Sequence, residues 1–220
     1  MSVKRTLAML LIGAGAGAAW LDEPRPAVAG SADPEGGRAV FTRKQCARCH
    51  APRGEAGPGP SLDELRRPQG AMELAGRLWN HVPAMSSALV QGGIEWPRIG
   101  LTEMADLMAF LQADPARDLA PDPAKGHVML LKKQCLKCHS FRKEGGRIEP
   151  DLAIPRRDYG SAAAWAAAMW THTPRMAEMA TRQHVLFPRF SGDEMGNLLA
   201  FLRGAAGMAP ATGSSTAPGR

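Results

Sequence analysis

The sequence predicts an all-α protein built from two tandem copies of one helical unit. Similar segments recur at an offset of 89 to 91 residues, so that Gly37–Phe41 resembles Gly126–Leu130, and Leu78–Met85 resembles Met169–Met176. Apolar residues recur at helical spacing, and no stretch alternates apolar and polar residues as a strand would. The two copies are therefore expected to share one helical fold.

The repeat divides the 220 residues into five parts. We expect a signal segment over residues 1–29, helical domains over 30–114 and 125–204, and a linker over 115–124 whose prolines and aspartates interrupt the helical pattern. The remaining residues, 205–220, are rich in Gly, Ala, Ser and Thr and predict a disordered tail.

The N-terminus has the order of a secretory signal. Lys4 and Arg5 precede an apolar run from Leu7 to Trp20, and the small residues Ala27 and Ala29 predict cleavage after Ala29. The run is shorter than the roughly 20 apolar residues of a spanning helix. Export to the periplasm is the prediction, and the alternative is a retained membrane anchor over residues 7–21.

Two kinds of helix signal recur in both copies. Asp33-Pro34 and Asp122-Pro123 have the order of an N-cap followed by Pro at the first helical position. Ser191–Glu194 has the pattern of a capping box that starts the last helix. The closing helix of each copy has apolar residues at i, i+3, i+4 and i+7, which we assign to the core: Met104, Leu107, Met108 and Leu111, and then Met195, Leu198, Leu199 and Leu202.

All four cysteines lie in two Cys-x-x-Cys-His motifs. Two thiols at this spacing can both add to the vinyl groups of one porphyrin, while the adjoining imidazole faces the iron. A zinc ribbon or a disulfide in each pair is the alternative, but neither requires His after both pairs, and ribbon pairs usually lie about 15–20 residues apart. Two covalent haem c groups are predicted, bound through Cys46, Cys49, Cys135 and Cys138, with His50 and His139 as proximal iron ligands.

These motifs resemble the class I cytochrome c family, taken twice, over about residues 34–204. Gly37–Phe41 is similar to the opening helix of that family, and Glu103–Leu111 and Glu194–Leu202 are similar to its closing helix. The resemblance implies two tandem cytochrome c domains, each built around one covalent haem. In that family a proline carbonyl orients the proximal histidine, which implies Pro60 for His50 and Pro150 for His139.

One departure from the family concerns the distal iron ligand. The family supplies a methionine before a proline, whereas Trp96-Pro97 and Phe187-Pro188 stand at those positions and cannot ligate iron. The shared motif Trp-x-His-x-Pro-x-Met offers two candidate pairs, and an open iron is a third possibility. We favour Met85 and Met176, because His/Met ligation is usual for this fold, over His81 and His172.

The same motif carries two structural expectations. Pro83 and Pro174 are expected to start a new helix after each histidine. Trp79 and Trp170 are expected to pack beside the porphyrin and exclude water from it.

Filled axial positions predict an electron carrier, or the cytochrome subunit of a respiratory or oxidoreductase complex, and no enzyme. The alternative is a dihaem enzyme such as a peroxidase, with one open haem site. The formal net charge is +6, and basic residues surround both motifs, which indicates redox partners with acidic docking surfaces. Nucleic acid is not expected as a partner, because these basic residues lack interleaved aromatics.

Overall fold

In a computed structural model of the protein, which describes residues 32–55 and 57–209, both copies contain long helices in the same order. The first copy holds α1 (Pro34–Arg43), α2 (Leu62–Leu65), α3 (Ala71–Gln91) and α4 (Leu101–Phe110). The second holds α5 (Pro123–Lys132), α6 (Ala162–Arg182) and α7 (Glu194–Ala205). Short 3-10 turns occupy Cys46–Arg48, Pro115–Arg117, Cys135–Lys137 and Arg157–Gly160. The predicted helical class is confirmed.

One small sheet was not predicted. β1 (Ser140–Phe141) and β2 (Glu144–Gly145) form an antiparallel hairpin after the second Cys motif. Its strands have two residues each, which is too short for an alternating pattern to show in the sequence. The turn between them holds Arg142 and Lys143 at positive φ.

The segments predicted at the two ends of the chain can be compared with the structure only over the described residues. The predicted signal segment over 1–29 lies outside the described residues. At the other end, α7 runs to Ala205, and the Arg203 guanidinium donates to the Ala209 carbonyl at 2.5 Å, so residues 205–209 belong to the folded part and the predicted tail started too early. Residues 210–220 again lie outside the described part. None of the helices over 32–209 is both long and apolar enough to cross a bilayer.

The predicted starts of the first helix of each copy are confirmed. The Asp33 carboxylate accepts from the backbone N–H groups of Glu35 and Gly36, and Asp122 caps α5 in the same way. The backbone N–H of each cap also donates to the closing helix of its own copy, to Asp106 Oδ1 at 2.8 Å and to Asn197 Oδ1 at 2.7 Å. The cap residues therefore fasten the opening helix to the closing helix.

The opening and closing helices cross at close range in both copies, because a glycine stands at each crossing. A Cβ added to Gly37 would overlap the carbonyl of Asp106, and one added to Gly126 would overlap the carbonyl of Asn197. The predicted apolar stripes of the two closing helices are buried, with Met104 at 0% and Met195 at 1% exposure. Their assignment to the core is confirmed.

The start of α7 differs from the prediction. Glu194 Oε2 accepts from the backbone N–H of Ser191 at 2.9 Å, as a capping box requires. However, the Ser191 hydroxyl donates to the same carboxylate instead of capping a backbone N–H, and Gly192 has a φ of 53°. The helix therefore begins at Glu194.

The expected break at Pro83 and Pro174 is wrong, because both prolines lie inside continuous helices of 21 residues. Proline has a φ compatible with a helix and removes one backbone hydrogen bond, which leaves the carbonyl four residues earlier without its usual donor. In α6 that carbonyl belongs to Trp170, and it accepts instead from Trp96 Nε1 of the first copy at 3.1 Å. Contact with the other copy thus offsets part of the cost of Pro174.

The two copies pack along α3 and α6 into one compact unit. Each copy inserts one tryptophan into the other, an arrangement that we call the tryptophan exchange. Trp79 Nε1 donates to the Pro188 carbonyl at 2.6 Å, and Trp170 Nε1 donates to the Pro97 carbonyl at 2.8 Å. Trp96 stacks on Trp170 with ring centroids 4.5 Å apart. The equivalent contact is made by Trp79, which stacks on Phe187 of the second copy with ring centroids 5.2 Å apart.

This exchange predicts a coupling between Trp96 and Pro174. Trp96→Phe keeps an aromatic ring but leaves the Trp170 carbonyl without its donor, which we expect to cost about 1–2 kcal/mol of unfolding free energy. In a Pro174→Ala background the backbone supplies that donor, so the same substitution should cost less. Denaturant unfolding of the wild type, the two single variants and the double variant measures this coupling. An equal cost of Trp96→Phe in both backgrounds would contradict it.

Candidate functional site

Each Cys-x-x-Cys-His motif is folded into one tight turn. Gln45 and Gln134, directly before the first cysteine of each motif, have φ values of 62° and 59°, which turn the chain sharply out of the opening helix. The backbone N–H of the histidine then donates to the backbone carbonyl of the first cysteine, at 2.9 Å for His50 and 3.0 Å for His139. Residues at i, i+3 and i+4 of such a turn share a face, so both thiols and the imidazole are brought to one side.

A proline carbonyl fixes each of these imidazoles. His50 Nδ1 lies 2.9 Å from the Pro60 carbonyl oxygen, and His139 Nδ1 lies 2.9 Å from that of Pro150. Because a carbonyl can only accept, Nδ1 carries the proton in both rings, and the lone pair is left on Nε2. Nε2 of each ring is therefore free to accept a bond to a metal.

Glycines allow the loop after each motif to approach the turn. A Cβ on Gly57 would lie 2.6 Å from the Cys49 carbonyl oxygen, and one on Gly146 would lie 2.7 Å from that of Cys138. Gly59 is close to the imidazole itself, since a Cβ there would meet His50 Nδ1 at 2.7 Å. These contacts hold the proline carbonyl in reach of its histidine.

A partly open cavity of about 500 Å³ lies mainly in the second copy, and its volume is within the range of about 300–1,000 Å³ usual for cofactor sites. Cys135, Cys138 and His139 lie on its wall, together with mostly apolar side chains of the second copy. Trp79 and Ile99 of the first copy also line it. The cavity is therefore completed by residues that the repeat assigns to the other half.

Two thiols and an imidazole on the wall of a mostly apolar cavity form a set of residues that could hold a covalently bound haem. The four thiols are free of disulfides, and burial raises the pKa of Cys46 and of Cys135 to about 11, so these thiols stay protonated at neutral pH. Over residues 32–55 and 57–209, no three His, Cys, Asp or Glu side chains converge as ligands for a metal ion.

The candidate distal ligands lie at equal positions on the two long helices. His81 and His172 are the eleventh residues of α3 and α6, and Met85 and Met176 follow one turn later. His172 and Met176 both line the cavity of the second copy. The ring centroids of His139 and His172, which both line this cavity, are 6.5 Å apart, with the rings inclined at 50°.

Burial and charge keep both helix histidines neutral. Burial lowers the pKa of His81, and the neighbouring His50 and Arg77 lower it further. The pKa of His172 is also lowered by burial, although the Glu149 carboxylate opposes that shift. Neutral imidazole is the form that ligates a metal.

The second site contains a charged pair that the first lacks. The Glu149 side chain is 8% exposed and accepts from Arg175 Nη2 at 2.7 Å. The residues at the equivalent positions of the first copy, Gly59 and Ala84, cannot form such a pair. The surroundings of the two sites therefore differ in charge distribution although their turns are alike.

Several residues of the site were predicted in another role or missed. Trp79 and Trp170 are buried, but each reaches into the other copy, and Trp79 lies on the wall of the second copy's cavity. From the sequence, Trp96 and Phe187 stand out only as residues that cannot ligate iron at positions where the resembled family has a methionine. Their equal places in the repeat, each before a proline, were the signal that could have indicated a shared contact.

Comparison of the chain with models of known protein families, with curated proteins and with solved structures found no match.

Proposed function

We propose that the chain is a dihaem c-type cytochrome that transfers electrons between redox proteins, as a carrier or as a subunit of an oxidoreductase complex. The observation that carries this proposal is the pair of equal hydrogen bonds from His50 to Pro60 and from His139 to Pro150, each 2.9 Å long. They leave Nε2 of both histidines available beside two thiols, in the arrangement that one porphyrin requires. Each copy then resembles a class I cytochrome c domain, with an opening helix crossed by a closing helix.

The haem groups would supply one-electron chemistry at iron, and the chain supplies their attachment and surroundings. Each thiol would add across one vinyl double bond, with sulfur bonded to one carbon and the thiol hydrogen to the other. Cys46 and Cys49 would hold the first group, and Cys135 and Cys138 the second. The proline carbonyls orient the proximal imidazoles and make them stronger donors to the metal.

The exchange of tryptophans supports transfer between the two halves. Trp79 and Ile99 of the first copy line the second cavity, so both haem sites belong to one packed body. The Glu149–Arg175 pair gives the second site a buried carboxylate that the first lacks. Because charge near a haem changes its reduction potential, we expect unequal potentials and a preferred direction of transfer.

A carrier is favoured over the dihaem enzyme because the copies have not diverged at their candidate distal ligands. A peroxidase would need one open iron, whereas α3 and α6 both keep the histidine and the methionine at the same positions. Exposed basic side chains near both motifs, among them Arg48, Lys137 and Arg142, support acidic redox partners. Maturation of such motifs after export supports a periplasmic location.

A redox titration combined with carbon monoxide binding tests this function on the matured full-length protein. We expect two reversible one-electron steps of unequal potential, and no carbon monoxide bound by either reduced haem. Uptake of carbon monoxide by one haem, with peroxide-dependent oxidation of a donor, would favour the enzyme and contradict the carrier.

A further inference from the structure

The two imidazoles on the wall of the second cavity have the separation of two ligands on opposite sides of one metal. A metal–nitrogen bond of about 2.0–2.1 Å, with about 1.1 Å from nitrogen to ring centre, sets the centres of two such imidazoles about 6.3 Å apart. The ring centroids of His139 and His172 are 6.5 Å apart. Packed aromatic rings can also lie at this distance, so the proposal depends equally on the ligating nitrogens of both rings.

The ligating nitrogen of each ring is available. Pro150 occupies Nδ1 of His139, which leaves the lone pair of Nε2 free. For His172, the nearest charged group to Nε2 is Glu149 Oε2 at 3.8 Å, beyond hydrogen-bond distance. That carboxylate is already held by Arg175.

Met176 is less well placed than His172 to be the second ligand opposite His139. It lies four residues after His172 on the continuous helix α6, about 5–6 Å further along the axis. A new helix starting at Pro174 would place Met176 in its first turn, where a flexible thioether could meet the iron. Because α6 continues through Pro174, His172 takes the place opposite His139 and Met176 lies one turn beyond it.

We propose that His172 is the distal iron ligand of the second haem and, by the equal position on α3, His81 that of the first. This inference rests on the proposed function, since it requires haem at both motifs. It assigns the bis-imidazole class to the protein, in which reduction potentials are lower than with His/Met ligation. Donors or acceptors of low potential are then the suitable partners.

Spectroscopy of the oxidised, matured full-length protein and of paired variants tests the ligands. The wild type should be low-spin at both irons and lack the near-infrared sulfur-to-iron charge-transfer band. His172→Ala should convert one of the two haems to a high-spin form that binds carbon monoxide, whereas Met176→Leu should leave both low-spin. His81→Ala and Met85→Leu form the matched pair in the first copy.

A second variant keeps the ligand test decisive even if the alanine variants fail to fold. His172→Met offers a thioether in place of the imidazole, so it should gain the charge-transfer band and raise one of the two potentials. The proposal is overturned if the wild type already shows that band, or if Met176→Leu produces the high-spin haem while His172→Ala does not. Either result would leave two covalent haems in place, whereas failure of the proposed function would show as protein without covalent haem.

Discussion

Replacing Cys135 and Cys138 together by alanine is expected to unfold the second copy. The cavity beside these thiols measures about 500 Å³. Without haem, the apolar side chains on its wall would be left facing water, which is unfavourable by about 25 cal/mol per Å² of apolar surface. Since whole domains are stable by only about 5–15 kcal/mol, we expect this loss to be large enough to release the packing of α5, α6 and α7.

Circular dichroism and denaturant unfolding measure this loss, and the single variant Cys135→Ala is the matched control. It keeps one thiol for attachment and leaves His139 in place, so it should retain most of the helical signal. A double variant with the helical content and unfolding midpoint of the wild type would contradict a haem-centred core. Because Trp79 and Ile99 of the first copy line the same cavity, the first copy should also lose stability in the double variant.

Adding one methyl group at either helix crossing is the second large effect. In Gly126→Ala the new Cβ would overlap the Asn197 carbonyl and lie 2.7 Å from the Phe201 Cβ, so α5 and α7 must move apart. Overpacking costs about 1–3 kcal/mol in ordinary cores, and a clash with a backbone carbonyl should reach at least about 3 kcal/mol. Gly37→Ala should behave alike, because its Cβ would overlap the Asp106 carbonyl.

The matched control is Gly204→Ala in α7, where nothing lies within 4 Å of an added Cβ. There the greater helix propensity of alanine should stabilise the protein by up to about 1 kcal/mol. Opposite shifts of the unfolding midpoint for Gly126→Ala and Gly204→Ala would support the close crossing. Equal midpoints for the two variants would show that the helices are further apart than described.

The elements that the sequence predicted are those fixed by local chemistry. An Asp-Pro pair caps a helix by hydrogen bonds to residues two and three positions away, so Asp33 and Asp122 could be assigned without knowledge of the rest of the fold. The stripes around Met104 and Met195 follow from helical period alone. The Cys-x-x-Cys-His turns are likewise local, since all their bonds lie within a few residues.

The parts that were missed depend on contacts distant in sequence. Pro174 was expected to end a helix, because the donor that compensates it, Trp96 Nε1, comes from the other copy. Trp79 was assigned to its own copy's haem for the same reason, since nothing local places it on the wall of the other cavity. The preference for methionine as the distal ligand followed from the resemblance to class I cytochromes c and, in part, from that helix start.

The central claim is that porphyrin is bonded through thioethers to both cysteine pairs, and the intact mass of the matured protein tests it most directly. The account predicts a mass that exceeds the polypeptide by two haem groups, one of which is lost in Cys135→Ala with Cys138→Ala and the other in Cys46→Ala with Cys49→Ala. A mass equal to that of the bare polypeptide, or to the polypeptide with one haem only, would contradict it.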